Sequence, residues 1–241
     1  MGILGKFFDS GTINGTPKNV TINLSKSKEN LDKVLVDLSK DGKVNLSKHA
    51  ARVALAMDYS GSMGELFRSG AVQDVITRLL PIALRFDDNG ELESWLFSNG
   101  KKRLKPVTIQ NYGSYVKNIM MKSGMRMGGT EYAPVLEDIV KYYTQDSASN
   151  VPAFVIFITD GENSDRDKTD KIIRELSKYN MFVQFVGIGS DSFNYLRSLD
   201  DMEGREHDNT GFIPVFDMNK MNDGELYSAL LLQYKDWMNK R

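Results

Sequence analysis

The sequence predicts an α/β protein: a doubly wound, mostly parallel open sheet with helices on both faces and one antiparallel edge strand. Three observations carry that expectation. The runs "RVALAMD" (52–58), "AFVIFITD" (153–160) and "MFVQFVGIG" (181–189) are nearly continuous in apolar residues, as in strands covered on both faces. Stretches with helical periodicity alternate with them. Two of the runs end in aspartate, at the place where an open α/β sheet exposes the carboxyl ends of its strands to a ligand.

The elements follow in order. Residues 1–48 are rich in Gly, Asn, Ser and Lys and read as an accessory arm with one short helix, in which Leu31, Val34, Leu35 and Leu38 recur at helical spacing. So short a helix is marginal alone in water, so the arm is expected to pack on the rest of the chain. The tetrapeptide "NLSK" occurs at 23–26 and 45–48, an echo that chance explains as well as a repeat does. Residues 49–241 form the main domain. After the first strand, Val75, Ile76, Leu79, Leu80, Ile82, Ala83 and Phe86 make one apolar stripe, with Pro81 removing a hydrogen bond to Thr77 and predicting a kink. "ELESWLFSN" and "KKRLKPVTI" flank Gly100 as an edge hairpin, and Pro106 suits an edge because it lacks an N–H. A helix over 132–143 follows "MGGTEY", and another in "DKTDKIIRELSKYN" buries Ile172, Ile173 and Leu176. A last helix after Asp223 turns Leu226, Leu230, Leu231, Tyr234 and Trp237 inward.

Composition narrows the function. Thirty-one basic against thirty-two acidic side chains give a net charge of −1, so no global field favours nucleic acid or an anionic membrane, and a partner must be recognised locally. With no cysteine, disulfides, thiolate zinc sites and cysteine nucleophiles are excluded, and a reducing compartment, the cytoplasm, is the expectation. "MGILGKFFDSGTING" lacks the apolar length and cleavage site of an export signal, and Lys6 stands where a myristoylation pattern needs Ser or Thr. No segment reaches the ~20 consecutive apolar residues of a membrane span.

The strand ends carry the chemistry. "D-Y-S-G-S" places Asp58, Ser60 and Ser62 at alternate positions, which converge on one side of an extended segment. "TDG" supplies Asp160, and the paired glycines of "GGT" allow Thr130 to approach another loop. All five donors are oxygens, a set suited to a hard cation: Mg2+ first, Mn2+ and Ca2+ as alternatives, and not zinc or copper. An ion held mostly by neutral hydroxyls stays attractive to an outside carboxylate.

"DYSGSM", "GGT" and "TDG", in this order in an alternating α/β chain, resemble the von Willebrand factor A domain with its metal-ion-dependent adhesion site. The resemblance covers Ala50 to the C-terminus. It implies that Ser60, Ser62 and Thr130 coordinate the ion, that Asp58 and Asp160 bind it directly or through water, and that a partner's acidic side chain fills the open position. "LPIALRFDDNGELESWLFSN" is similar to the bacterial tellurium-resistance A-domain proteins, the TerF-like group, implying a part in tellurite resistance or stress response. The arm's "LDKVLVDLSKDG" looks like a remnant of TerD-type patterns. The loops around Tyr59, Met63, Arg126 and Tyr132 are expected to line the partner's approach.

Rival readings are enzymatic. "SGSMG" differs from a nucleophile elbow only in its first residue, so a serine hydrolase would use Ser62 as nucleophile and His207 as base. That reading leaves Thr130 and Asp160 unexplained. A phosphatase with Asp58 as nucleophile lacks a second aspartate two residues on. "GIGS" (187–190) lacks the third glycine of a dinucleotide fingerprint and reads as a turn. Asn163, Ser164 and Asp165 read as caps and loop solvation, and Glu131 as a surface acid.

Overall fold

The computed structural model describes residues 24–40, 44–161, 163–217 and 220–241. The export-signal and myristoylation readings and the start of the first "NLSK" copy lie outside them. Six strands form one sheet: β1 (Arg52–Asp58), β2 (Glu93–Phe97), β3 (Lys101–Arg103), β4 (Ala153–Thr159), β5 (Met181–Ile188) and β6 (Thr210–Val215), in the spatial order β3-β2-β1-β4-β5-β6. Every pairing is parallel except β2 with β3. The helices are α1 (Leu24–Ser39), α2 (Gly64–Ser69), α3 (Ala71–Phe86), α4 (Ala133–Lys141), α5 (Arg166–Leu176), α6 (Asn194–Asp200) and α7 (Asp223–Lys240).

The strands are continuous apolar runs because both of their faces are covered. In β1, Val53, Leu55 and Met57 enter one core with α1, α3 and α7, while Ala54 and Ala56 enter a second with α4, α5 and α6. On the second face Tyr132, Phe97, Phe157 and Phe185 pack edge and face.

The chain leaves β1 for β2 on one side and returns to β4 on the other, so the carboxyl ends of β1 and β4 open at a topological switch point. Asp58 closes β1 beside Phe97 of β2, and Asp160 follows the last residue of β4.

Several sequence-based expectations need revision. The second arm of the edge hairpin stops at Arg103, with only Val107 regaining a bridge to Leu92, so Pro106 lies beyond the strand. The helix expected over 132–143 ends at Lys141 and continues as a π-type turn, Tyr142–Asp146. α6 and β6 have no counterpart in the sequence reading. β6 is an edge strand of six residues holding Gly211 and Pro214, a composition that argues against a strand when read alone. The two "NLSK" copies differ: the first opens α1, the second is a single 3-10 turn capped by Asn45.

α1 lies against α3 and α7 and buries Leu31, Val34 and Leu35. Asp223, in the first turn of α7, accepts from Ser27 Oγ at 2.6 Å and from Arg78 Nε at 2.8 Å, so one carboxylate joins three helices. Leu35 is fully enclosed. Leu35→Ala should therefore lower the unfolding free energy by about 2–5 kcal/mol in a denaturant titration; an unchanged midpoint would mean that α1 is not docked in solution.

Asp200 of α6 accepts from Gln233 of α7. Burial pushes its carboxyl up to about 6 from the ordinary 3.8, and the Gln233 bond only partly opposes this. Between those values the folded chain holds the proton more tightly than the unfolded chain, so this group's contribution to stability declines as pH rises through the window. Asp200→Asn should flatten the fall in melting temperature between pH 4 and 6 relative to wild type. A fall of the same steepness in the variant would assign it to other groups.

Candidate metal centre

Asp58 is fully buried, and both of its oxygens are engaged: Oδ1 accepts from the Ser60 amide at 2.7 Å and Oδ2 from the Thr159 hydroxyl at 2.6 Å. From there the oxygens form a chain towards solvent. Ser60 Oγ and Ser62 Oγ are 3.0 Å apart, and Ser62 Oγ donates to Asp160 Oδ1 at 2.9 Å. Ser60 is buried, Asp160 half-buried and Ser62 exposed.

The third loop is stitched alongside by its backbone. Gly128 forms a parallel bridge with Ser60, and its carbonyl accepts from the Gly61 amide at 2.9 Å. The Thr130 carbonyl accepts from the Ser164 amide at 2.9 Å, and the Glu131 amide donates to the Ser98 carbonyl at 2.9 Å. Thr130 is thus set between the loops that follow β1 and β4, and all five sequence-derived residues belong to one neighbourhood.

The close approach foreseen for "GGT" is made to Asn99, at the tip of the β2–β3 hairpin. Asn99 Oδ1 accepts from the Gly129 amide at 2.7 Å, and a Cβ on Gly128 would stand 2.4 Å from that same oxygen.

Beneath the oxygens lies a support that the sequence reading missed. Thr159 fixes Asp58, and the buried Tyr132 hydroxyl donates to the Gly161 carbonyl at 2.6 Å, holding the turn that carries Asp160. Asp165 accepts from the Tyr132 and Ala133 amides at 3.0 and 2.8 Å, so the start of α4 is capped from the α5 loop. The signal for Thr159 was present, one residue before Asp160, but a threonine at the end of an apolar strand reads as β-propensity alone. Tyr59, Met63 and Tyr132, expected near a partner, have buried side chains, whereas Arg126 is exposed.

The electrostatics are one-sided. Burial pushes the Asp58 carboxyl up to about 6 against the pull of its hydrogen bonds, with Asp160 adding repulsion. Burial also raises Asp160, against the Ser62 bond, and Asp191 in the loop after β5 contributes further repulsion. Among the described residues, no ion pair links Asp58 or Asp160 to a basic side chain. The donor set fits a hard cation. Adjacent oxygens around a six-coordinate Mg2+ at ~2.1 Å stand about 3.0 Å apart, compatible with the 3.0 and 2.9 Å between Ser60, Ser62 and Asp160. No cluster of three or more His, Asp or Glu occurs among the described residues, so any cation here relies on hydroxyls.

Neither histidine approaches Ser62. His49 precedes β1 and contacts Tyr234, and His207 precedes β6, so both lie towards the amino ends of parallel strands, opposite the site. The hydrolase reading therefore lacks its base. "GIGS" also resolves as structure: Gly187 lies under the Phe193 ring, and Gly189 has φ 110°, a left-handed turn.

A parallel sheet of this strand order, with Asp-x-Ser-x-Ser at the end of its central strand and "GGT" and "TDG" in facing loops, defines a von Willebrand A domain. The family model described as vWA-TerF-like, the vWA found in the TerF C terminus, matches residues 50–241, and the chain belongs to that family. It is 38% identical over 200 residues to the uncharacterized protein YcbR of Bacillus subtilis (strain 168), with 82% of each chain covered. Among solved structures it is similar to proximal thread matrix protein 1 of the mussel byssus with a zinc-occupied MIDAS motif, at a TM-score of 0.55 and 17% identity. That match covers 76% of this chain and 46% of the mussel chain, so this chain spans about half of the mussel protein's length. It is also similar to manganese-loaded Plasmodium vivax TRAP protein, at a TM-score of 0.53 and 16% identity, covering 76% of this chain and 72% of that one.

The Asn99 clasp is testable. Gly128→Ala should force Asn99 off the Gly129 amide and lower stability by about 1 kcal/mol. Asn99→Ala should lose a similar amount, and the double variant little more than either alone, because one hydrogen bond is removed in all three. Full additivity in chemical denaturation would show that the two residues act independently.

Proposed function

We propose that the protein is a metal-ion-dependent protein-binding module. Asp58, Ser60, Ser62, Thr130 and Asp160 hold one divalent cation, Mg2+ by first expectation and Mn2+ or Ca2+ as alternatives, and an acidic side chain of a protein partner completes the coordination. The observation that carries this reading is the chain of oxygens from Ser60 through Ser62 to Asp160, spaced at 3.0 and 2.9 Å, above a buried carboxylate with no basic partner among the described residues. When bound, the cation supplies an electrophilic contact for an incoming carboxylate.

The chain's own residues do the rest. Thr159 and the Ser60 amide hold Asp58 in place, and Tyr132 holds the Asp160 turn. Ser60 and Ser62 would offer hydroxyl lone pairs to the ion, and a hydroxyl that does so keeps its proton to donate, as Ser62 does to Asp160. Zinc and manganese in two structural relatives support a divalent ion in this family's sites. A part in bacterial tellurite resistance or stress response is proposed from the family's name, and a cytoplasmic setting from the absence of cysteine. Residues 1–48 are read as an accessory arm to the domain over 49–241, and the whole as a binding module rather than an enzyme.

Titration with MgCl2 or MnCl2 should raise the melting temperature, and at a hundredfold excess over Kd the gain corresponds to about 2.7 kcal/mol. Asp58→Ala should abolish the response and Ser62→Ala reduce it. A response of wild-type size in Asp58→Ala would place the ion elsewhere and sink the assignment.

A further inference from the structure

The near-neutral total conceals a segregated charge. From Ser94 to Thr130 the chain has no Asp or Glu, yet it contains Lys101, Lys102, Arg103, Lys105, Lys117, Lys122 and Arg126. Lys101 and Arg103 belong to the exposed edge strand β3 and pair with Asp138 and Glu93. Lysines there also discourage edge-to-edge aggregation, so they need no further explanation. The later cations do. Lys117, Lys122 and Arg126 are exposed, and Lys102 Nζ reaches only a backbone carbonyl, that of Ser123.

The path of the segment sets these cations beside the metal centre. The amide of Val116 and the carbonyl of Tyr112 bond to Gln73, in the first turn of α3, which is joined to the Ser60–Ser62 loop through the short helix α2. The Arg126 carbonyl accepts from Ser98 Oγ at the end of β2, and Gly128 bridges Ser60. Lys117 to Arg126 therefore cover the same carboxyl end of the sheet as the five oxygens.

The same stretch concentrates exposed apolar groups. Of the five large hydrophobic side chains exposed among the described residues, three fall here: Ile109 (44%), Met121 (50%) and Met127 (37%). Met127 lies over Gly64, its sulfur 3.6 Å from where a Cβ would stand, at the start of the helix after the serine loop. Methionine is flexible and polarizable, suited to packing against side chains of varied shape. Exposed apolar groups interspersed with cations along one connection mark an interaction surface.

The geometry points to a docking surface formed by Lys117, Met121, Lys122, Arg126 and Met127 for an acidic protein segment that carries an apolar residue among its carboxylates. This deepens the metal-dependent reading and rests on it only for the single carboxylate that reaches the ion. A segment with several acids matches the run of cations, and its apolar residue matches the methionines. It also explains selection among partners: one carboxylate on one ion carries little information, whereas a pattern of acids and an apolar anchor carries more.

The test uses the full chain and a synthetic twelve-residue peptide of Asp and Glu with one central Leu and one Phe, followed by fluorescence anisotropy. Wild type with MgCl2 should bind the peptide, and more weakly as salt rises. Lys117→Glu/Lys122→Glu should bind it about tenfold more weakly while its melting temperature and its Mg2+ response stay those of wild type. Replacing Leu and Phe by Ser in the peptide should also weaken capture.

If chelator leaves peptide binding intact while charge reversal weakens it, the docking surface stands and the metal reading falls. Metal-dependent binding that ignores both charge reversal and the Leu and Phe replacement would overturn the docking surface alone. So would no binding of the peptide with MgCl2, preferential binding of single-stranded oligonucleotide or anionic vesicles, or self-association of the chain abolished by the charge reversal.

Discussion

A buried carboxylate without a matching cation is the constraint around which this molecule is arranged. Asp58 ends the central strand, fully enclosed, with two hydrogen bonds and no ion pair among the described residues. Leaving such a group charged inside a protein costs several kcal/mol, and the neighbouring Asp160 increases that cost. Nothing in the packing calls for an acid there, since Met57 and the strand before it already fill the core. Strain of this kind persists at sites whose ligand removes it, and a divalent cation is the ligand that would.

The scaffold keeps that site from relaxing. Four loops are cross-tied: by backbone hydrogen bonds from Gly61 to Gly128, Glu131 to Ser98 and Ser164 to Thr130, and by the Gly129 amide to the Asn99 side chain. Tyr132 and Thr159 close the floor, and Asp165 fixes the start of α4 from the opposite loop. A set of oxygens held this firmly loses little conformational freedom when it takes up an ion or a partner, so more of the contact energy remains as affinity.

How much of this was legible depends on where each signal resides. Strands covered on both faces write themselves as apolar runs, so β1, β4 and β5 and the class of fold could be read directly. β6 could not, because an edge strand with Gly211 and Pro214 is stabilised by β5 and α7 rather than by its own propensity. The donors Asp58, Ser60, Ser62, Thr130 and Asp160 stood out as motifs, but Thr159, Asn99 and Asp165 act through partners 30 to 101 positions away in sequence. Such roles have no local pattern. Tyr59, Met63 and Tyr132 were placed at the rim because they neighbour the motifs in sequence, yet each turns inward, since a large apolar body beside a strand end is drawn into the core.

Net charge misleads for a related reason. A total of −1 averages over the chain, while a ligand at the carboxyl end of the sheet meets only what lies within about a Debye length, some 8–10 Å. At that range local composition counts, and the connection from Ser94 to Thr130 is entirely free of acids. In the proposed reading the acids of the centre and the cations of this connection are complementary: the first would hold a positive ion, and the second would extend its positive field outward along the surface. Under the proposed docking, a carboxylate arriving from solvent would pass the lysines first, so the connection would act on the rate of encounter and a bound ion on how long the complex lasts. The proposed division of labour follows from placement: the exposed cations are screened by salt more strongly than the half-buried centre.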